Sequence, residues 1–271
     1  MPEGDTVWRT ARRLHAALAG APATLVDIRW GEVDEGRLTG AVVDEVVPRG
    51  KHLLHRFDSG WTLHTHLRME GSWRVEAAGS EAARRALRRT DLRAAIGTDA
   101  WTTLGLRLGE VDVVPRRDEH RLVGHLGPDV LGEDWDPDLV VLRISECPPD
   151  VTIAAALLDQ RVLAGVGTFW ASEALFAQRL HPWRPARDLT GDEILRARRS
   201  RARADGPGQG PRRPVGDRRA ACRPPLVGAR AIGAAVPTLR RDDPRGAAGS
   251  HGAGPGLLLL PGVPGWAGPD R

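Results

Sequence analysis

Apolar residues near the start of the chain fall at Val7, Ala11, Leu14 and Leu18, intervals of three and four residues that put them on one face of a helix. Asp5 ahead of them is a favourable N-cap type, so the pattern predicts an amphipathic helix from Asp5 to about Ala19. The period then shortens. Residues 24–30, 41–47, 52–57, 61–67, 72–75 and 103–114 read as strands, punctuated by Gly31, Pro48-Arg49-Gly50, Gly60 and Gly71. One helix followed by many short strands predicts a β-sandwich or barrel.

From about Pro137 the pattern turns helical. Ile153-Ala154-Ala155-Ala156-Leu157-Leu158 reads as a buried helix, residues 162–167 as a tight turn carrying two glycines, and residues 169–178 as a second helix, with 192–199 as a further candidate. After Arg199 apolar periodicity ends. Residues 201–271 hold 14 Gly and 11 Pro, about a third of the segment and above the ~25–30% typical of low-complexity chains, which predicts disorder there.

Composition narrows the class. At 271 residues the chain has room for two domains, and its net charge of +4 suits a polyanionic partner. Arginine supplies nearly all of the positive charge; Lys51 is the only lysine. Two cysteines, Cys147 and Cys222, are too few for a disulfide framework, and no signal peptide or membrane-length apolar run is evident, so the expected location is the cytoplasm.

The candidate chemistry begins at the N-terminus. Removal of Met1 ahead of a small residue exposes Pro2 as a secondary amine, with a reference pKa of about 7.7–8.0 against about 10.4 for a lysine side chain. Glu3 beside it can donate a proton. An amine able to attack a sugar C1′ next to an acid is a minimal kit for Schiff-base chemistry; Met-Pro is also a common start, and Glu3 is equally a carboxylate well placed at a helix N-terminus. Gly165, Gly167 and Thr168 open a helix, where backbone amides form an anion site that glycines let a phosphate approach. His64 and His66 alternate on one strand with His52 and His55 nearby, but no cysteine or acidic cluster in the sequence completes a metal site, so these read as hydrogen-bonded or exposed histidines and no metal is expected.

The run Leu157-Leu158-Asp159-Gln160-Arg161-Val162-Leu163-Ala164-Gly165-Val166-Gly167-Thr168-Phe169-Trp170-Ala171-Ser172-Glu173-Ala174-Leu175-Phe176 closely resembles the helix–two-turn–helix motif of the formamidopyrimidine-DNA glycosylase / endonuclease VIII family. Met1–Asp5, Arg49-Gly50-Lys51-His52-Leu53-Leu54, His66-Leu67-Arg68-Met69-Glu70-Gly71, Leu126-Gly127-Pro128-Asp129, His181-Pro182 and Arg184-Pro185 resemble the same family in the same order, most like its endonuclease VIII branch in high-GC bacteria.

The resemblance implies an α+β chain: an N-terminal β-sandwich catalytic domain over 1–130, a helix–two-turn–helix DNA-binding domain over 131–199, and the family's zinc-finger region at 200–271. It implies a base-excision repair glycosylase with β/δ-elimination AP lyase activity, acting as a monomer on damaged double-stranded DNA whose target nucleotide is flipped into a cleft. Oxidised pyrimidines are favoured over oxidised purines. By resemblance Pro2 is the nucleophile, Glu3 the general acid and Lys51 a phosphate contact that assists base removal. Met69 is a candidate wedge for the vacated stack and Arg68 a reader of the orphaned base, against the alternative of Met69 packed within the sandwich. Gly165, Gly167 and Thr168 hold phosphate, with Thr168 where the family usually has Asn. The two-turn motif is also similar to that of a ribosomal RNA-binding protein, so a non-catalytic nucleic-acid binder remains an alternative, as does an inactive pseudogene product.

The family's zinc finger uses two Cys-x-x-Cys pairs, and this chain has none, so no cofactor is expected in it. With Val as GTG and Leu as CTG, reading one nucleotide later converts Val236, Leu239, Leu260 and Val263 to cysteine, a Cys-x2-Cys-x20-Cys-x2-Cys spacing suited to structural zinc. A frameshift near residues 195–205 therefore accounts for the tail, and resequencing codons 190–210 tests it.

Overall fold

The computed structural model describes residues 2–30 and 35–193. Helix α1 (Gly4–Leu18) buries the expected stripe of Val7, Ala11, Leu14 and Leu18. Its cap lies two residues earlier than the sequence suggests: Glu3, not Asp5, occupies the N-cap, and Asp5 lies in the first turn, where it pairs with Arg9 at 2.5 Å. The i,i+4 spacing sets that pair on one side of the helix.

Eight strands follow, β1 (Leu25–Ile28), β2 (Val43–Arg49), β3 (His52–Phe57), β4 (Trp61–His66), β5 (Ser72–Ala77), β6 (Leu92–Gly97), β7 (Trp101–Leu106) and β8 (Glu110–Pro115), with helix α2 (Glu81–Leu87) between β5 and β6. They form two antiparallel four-stranded sheets, ordered β1-β6-β7-β5 and β2-β3-β4-β8. The α1 stripe packs with Leu53, Phe57, Leu63, Trp73 and Ile96 in one core. Alternation along β3 and β4 sends Leu53, His55, Phe57, Leu63 and Thr65 to one face, and His52, Leu54, His64 and His66 to the other.

Two differences from the expected strands have local causes. The run 103–114 is two strands, because Arg107 adopts φ 48° where the chain leaves the first sheet for the second. The buried Leu106, Leu108 and Val111 on either side make the run look continuous. Strand β6 escapes notice because Ala94 and Ala95 lack the β-branched signature of a strand, although both are fully buried.

The helical part comprises the short α3 (His120–Val123), α4 (Pro137–Ser145), α5 (Ile153–Leu158) and α6 (Thr168–Gln178). Asp136 caps α4 by accepting from the Leu139 amide at 2.9 Å, with Pro137 at the first helical position, where its missing N–H costs nothing. Thr152 caps α5 in the same way through the Ala155 amide. A second core joins Val130, Val140, Ile144, Ile153, Leu157, Leu163, Val166, Leu175 and Leu189. The chain is thus α+β, a two-layer sandwich with its helix followed by a helix–turn–helix segment. The remainder of the helix expected at 192–199, the tail and the region from 200 onward lie outside the described residues. Among the described residues no helix is long and apolar enough to cross a membrane.

Candidate active site at the seam between sandwich and two-turn helices

Glu3 does not cap its own helix; its side chain crosses to α6. Oε1 accepts from the Phe169 amide at 2.8 Å, and Oε2 accepts from the Gly167 and Trp170 amides at 3.1 and 3.2 Å. The residue is 2% exposed. A helix N-terminus presents unpaired donors and the positive end of the helix dipole, so this carboxylate and that helix satisfy each other. The adjacent Gly4 amide donates to the Gly165 carbonyl at 2.9 Å.

Glycines make this approach possible. A Cβ on Gly4 would lie 2.8 Å from the Gly165 oxygen, and one on Gly167 would lie 2.5 Å from the Glu3 carboxyl. Gly165 itself has φ 92°, in the left-handed region. Gln160 pins the turn between α5 and α6: its Oε1 accepts from the Gly165 amide at 3.0 Å, and its Nε2 donates to the Leu158 and Val166 carbonyls at 3.0 and 2.9 Å.

Lys51 sits at the tip of the β2–β3 hairpin, where Arg49 pairs with His52 across a two-residue turn. Burial pushes its ammonium down from the ordinary lysine value, and the Glu3 charge opposes that shift. The turn is clamped to the 126–134 segment. Asp129, 4% exposed, accepts from the Gly50 amide at 2.6 Å and the Leu131 amide at 3.0 Å. Arg49 donates to the Gly127 carbonyl at 3.0 Å and pairs with Asp134 at 2.8 Å.

Arg68 and Met69 lie in the turn between β4 and β5. Met69 is 65% exposed rather than packed within the sandwich. Arg68 adopts φ 51° and is ion-paired to Glu110 on β8. Thr168 is exposed at the first residue of α6. Gly165 and Gly167 lie behind it, with their amides engaged by Gln160 and Glu3. The structure therefore brings Pro2, Glu3, Lys51, Gly165, Gly167 and Thr168 to one seam, while Arg68 and Met69 stand on a separate loop.

The outward face of the second sheet carries a histidine cluster. The His52 Nδ1 and His64 Nε2 atoms are 2.8 Å apart, and His64 Nδ1 lies 2.9 Å from Asp112 Oδ2. Burial, with help from the neighbouring histidines and Arg68, holds His52 down at about 3; burial leads the lowering of His66 to about 4, so both are neutral at pH 7. Asp129, Gln160, Glu110 and Asp112 carry parts of this architecture that the sequence reading did not assign. Asp129 and Gln160 stand inside the motifs that carried the resemblance, but their partners are backbone groups no residue pattern displays.

Comparison with known proteins places this geometry. Residues 1–111 match the formamidopyrimidine-DNA glycosylase N-terminal domain and residues 126–202 the formamidopyrimidine-DNA glycosylase H2TH domain. The chain is 46% identical over 196 residues to the probable endonuclease 8 2 of Streptomyces coelicolor, covering 72% of this chain and 70% of that protein. It is 41% identical over 189 residues to the DNA-(apurinic or apyrimidinic site) lyase Nei2 of Mycolicibacterium smegmatis, covering 70% and 71%. Among solved structures, the MutM (Fpg) protein of Thermus thermophilus matches with a TM-score of 0.59 at 32% identity, covering 73% of each chain. The Lactococcus lactis enzyme, bound non-covalently to DNA containing an AP site, matches in fold with a TM-score of 0.62 at 20% identity, covering 73% of this chain and 77% of that one. A four-thiolate zinc finger does not fit the sequence as it stands: Cys147 lies against the Arg143 carbonyl at 3.4 Å in the helical core, and Cys222 is the only other thiol.

Proposed function

The chain belongs to the formamidopyrimidine-DNA glycosylase family of DNA glycosylases and AP lyases, and we propose that it excises oxidised bases, pyrimidines preferentially, from double-stranded DNA through a Schiff base on Pro2. The Pro2 nitrogen attacks C1′ of the flipped nucleotide, the glycosidic bond breaks with its electron pair leaving on the base, and the base takes up the proton that the newly bonded nitrogen sheds. Ring opening at O4′ takes a proton from Glu3 and yields an iminium. The iminium acidifies the C2′ proton; its loss expels the 3′ phosphate, a second elimination expels the 5′ phosphate, and water then releases the sugar remnant from Pro2.

The observation that supports this reading is the three-amide seat of Glu3. A carboxylate has about four acceptor sites. Three are occupied, two on Oε2 and one on Oε1, so Oε1 is the oxygen with room for a proton. The same seat fixes the backbone next to Pro2, and placing a nucleophile and acid together in advance is worth several kcal/mol of barrier. Lys51 adds a cation near Glu3 that can take a phosphate and favour departure of an anionic base. Thr168 faces outward to phosphate with one hydroxyl; Gly165 and Gly167 shape the turn behind it. Arg68 and Met69 enter the duplex as reader and wedge. The protein acts as a monomer in the cytoplasm on damaged DNA. Without a Cys-x-x-Cys pair the chain cannot assemble a four-thiolate finger, and its duplex affinity should be weaker than that of a family member that has one.

Borohydride trapping on AP-site DNA is the direct test. The chain with Met1 removed should form a covalent adduct, and Pro2→Gly, or a tag that blocks Met1 removal, should eliminate it. Full-yield trapping in the blocked protein would assign the nucleophile to Lys51 or another amine instead, and no trapping in any form would favour a non-catalytic nucleic-acid binder.

A further inference from the structure

His52 on β3, His64 on β4 and Glu110 on β8 come from three neighbouring strands, and one ligand atom from each lies within 4.8 Å of the others. All three point to the outward face of the second sheet. His52 and Glu110 flank His66 in one cross-strand row, and His64 pairs with Asp112 in the next. We propose that these three side chains form a site for one divalent transition-metal ion of the zinc class.

Two imidazoles and one carboxylate are a donor set that suits zinc or cobalt rather than magnesium or calcium, and three protein ligands leave one position for water. An ionised Asp112 selects the tautomers of the His52–His64 pair. Asp112 accepts from His64 Nδ1 at 2.9 Å, so the Nε2 lone pair points toward His52. A carboxylate behind a ligating histidine is the usual outer partner in such sites; it orients the ring and raises its basicity. His64 is 1% exposed, which fixes its ring before any ion arrives. His52 then holds the proton that it donates to His64 across 2.8 Å. Two nitrogens bound to one tetrahedral ion at about 2.0–2.1 Å lie about 3.3 Å apart. The pair thus opens by roughly half an ångström and gives up that shared proton.

Glu110 has a present partner, the Arg68 guanidinium. An ion and Arg68 compete for the same carboxylate, so metal binding frees the arginine on the exposed β4–β5 turn. That consequence distinguishes the site from a casual cluster of surface histidines. It does not depend on the Schiff-base chemistry at Pro2.

Cobalt(II) titration of the full-length chain, followed by visible d–d absorption, tests the site, with zinc competition giving stoichiometry. One ion per chain is expected, with a tetrahedral or five-coordinate band. Glu110→Gln and His52→Asn, each checked for an unchanged thermal melt, should each weaken binding at least tenfold, since each removes one of three ligands. Arg68→Ala should tighten it severalfold. The proposal is overturned if the wild-type chain gives no stoichiometric band, if binding survives unchanged in Glu110→Gln or His52→Asn, or if Arg68→Ala leaves affinity unchanged or weaker. A variant that fails to melt like the wild type is replaced by the Arg68→Ala measurement, whose altered residue is exposed and no ligand.

Discussion

The seam and the β4–β5 turn hold their functional groups in opposite ways. At the seam, Glu3 and Asp129 are buried carboxylates whose partners are mostly backbone amides: Gly167, Phe169 and Trp170 for one, Gly50 and Leu131 for the other. Amides in a folded turn cannot rotate away, so these contacts position a side chain more tightly than other side chains would. At the β4–β5 turn, Met69 projects into solvent; the Arg68 amide donates to His66 Nδ1 at 3.0 Å, but its guanidinium is held by an ion pair with Glu110. Such a pair contributes little to stability. The contrast follows the work each region is proposed to do. An acid must be in place before a bond breaks; a wedge must move into a stack that is not there until DNA binds.

If the seam is preorganised as its hydrogen bonds indicate, damage to Glu3 should cost most. Glu3→Gln keeps one acceptor oxygen but turns an NH2 toward donors, leaving at least one amide of α6 without a partner. That is expected to destabilise the fold by about 1–3 kcal/mol. The chemical loss is larger: removing the acid should slow single-turnover excision by about 10²–10⁴-fold. Excision at the wild-type rate would end the assignment of Glu3 as proton donor and leave it as the cap of α6 alone.

Gly4→Ala separates placement from chemistry. The new methyl meets the Gly165 oxygen at 2.8 Å and its Cα at 2.9 Å, both backbone atoms that cannot swing aside. The seam must widen, at about 1–3 kcal/mol, and an ångström of displacement at Glu3 should lower activity by roughly 10²-fold. Gly20→Ala is the matched control: Gly20 has φ 79° with no atom within 4 Å of an added Cβ, so it strains the backbone far from the site. Similar losses of melting temperature with activity lost only in Gly4→Ala would support the seam. Equal activity in the two variants would show that the close approach of Gly4 to Gly165 is dispensable.

Much of this was legible before the structure, and unevenly so. The α1 stripe could be read because burial and helical period coincide along it, and strand β3 because a short apolar run lies between the turn signals at Gly50 and Gly60. The break at Arg107 was hidden because its neighbours are apolar on both sides, and β6 because alanine serves strands and helices alike. At the site, Pro2, Glu3 and Lys51 were visible as unusual residue types in a recognisable order. What Glu3 touches was not visible, because its partners are amides 164 to 167 residues away, and an amide has no residue identity. The carboxylates beside the histidine cluster were hidden for a related reason. Glu110 and Asp112 enter through strand pairing with β4, which only the register of the sheet discloses.

Met69→Ala should have the smallest effect, and its pattern matters more than its size. Because the side chain is 65% exposed, its removal leaves no cavity and should change stability by no more than about 0.5 kcal/mol. If Met69 fills the space left by a flipped nucleotide, excision from duplex DNA should fall by roughly tenfold, since a wedge offsets an unstacking cost of a few kcal/mol. The same lesion in a single strand has no stack to replace, and its excision should be unchanged. A thermal melt with paired duplex and single-strand kinetics reads all three quantities. Equal losses on both substrates would mean that Met69 acts on the lesion or on the seam, and a large fall in melting temperature would mean that it packs within the sandwich after all. Loss on the duplex alone would confirm the division of labour between a seam held by backbone and a turn left free to enter DNA.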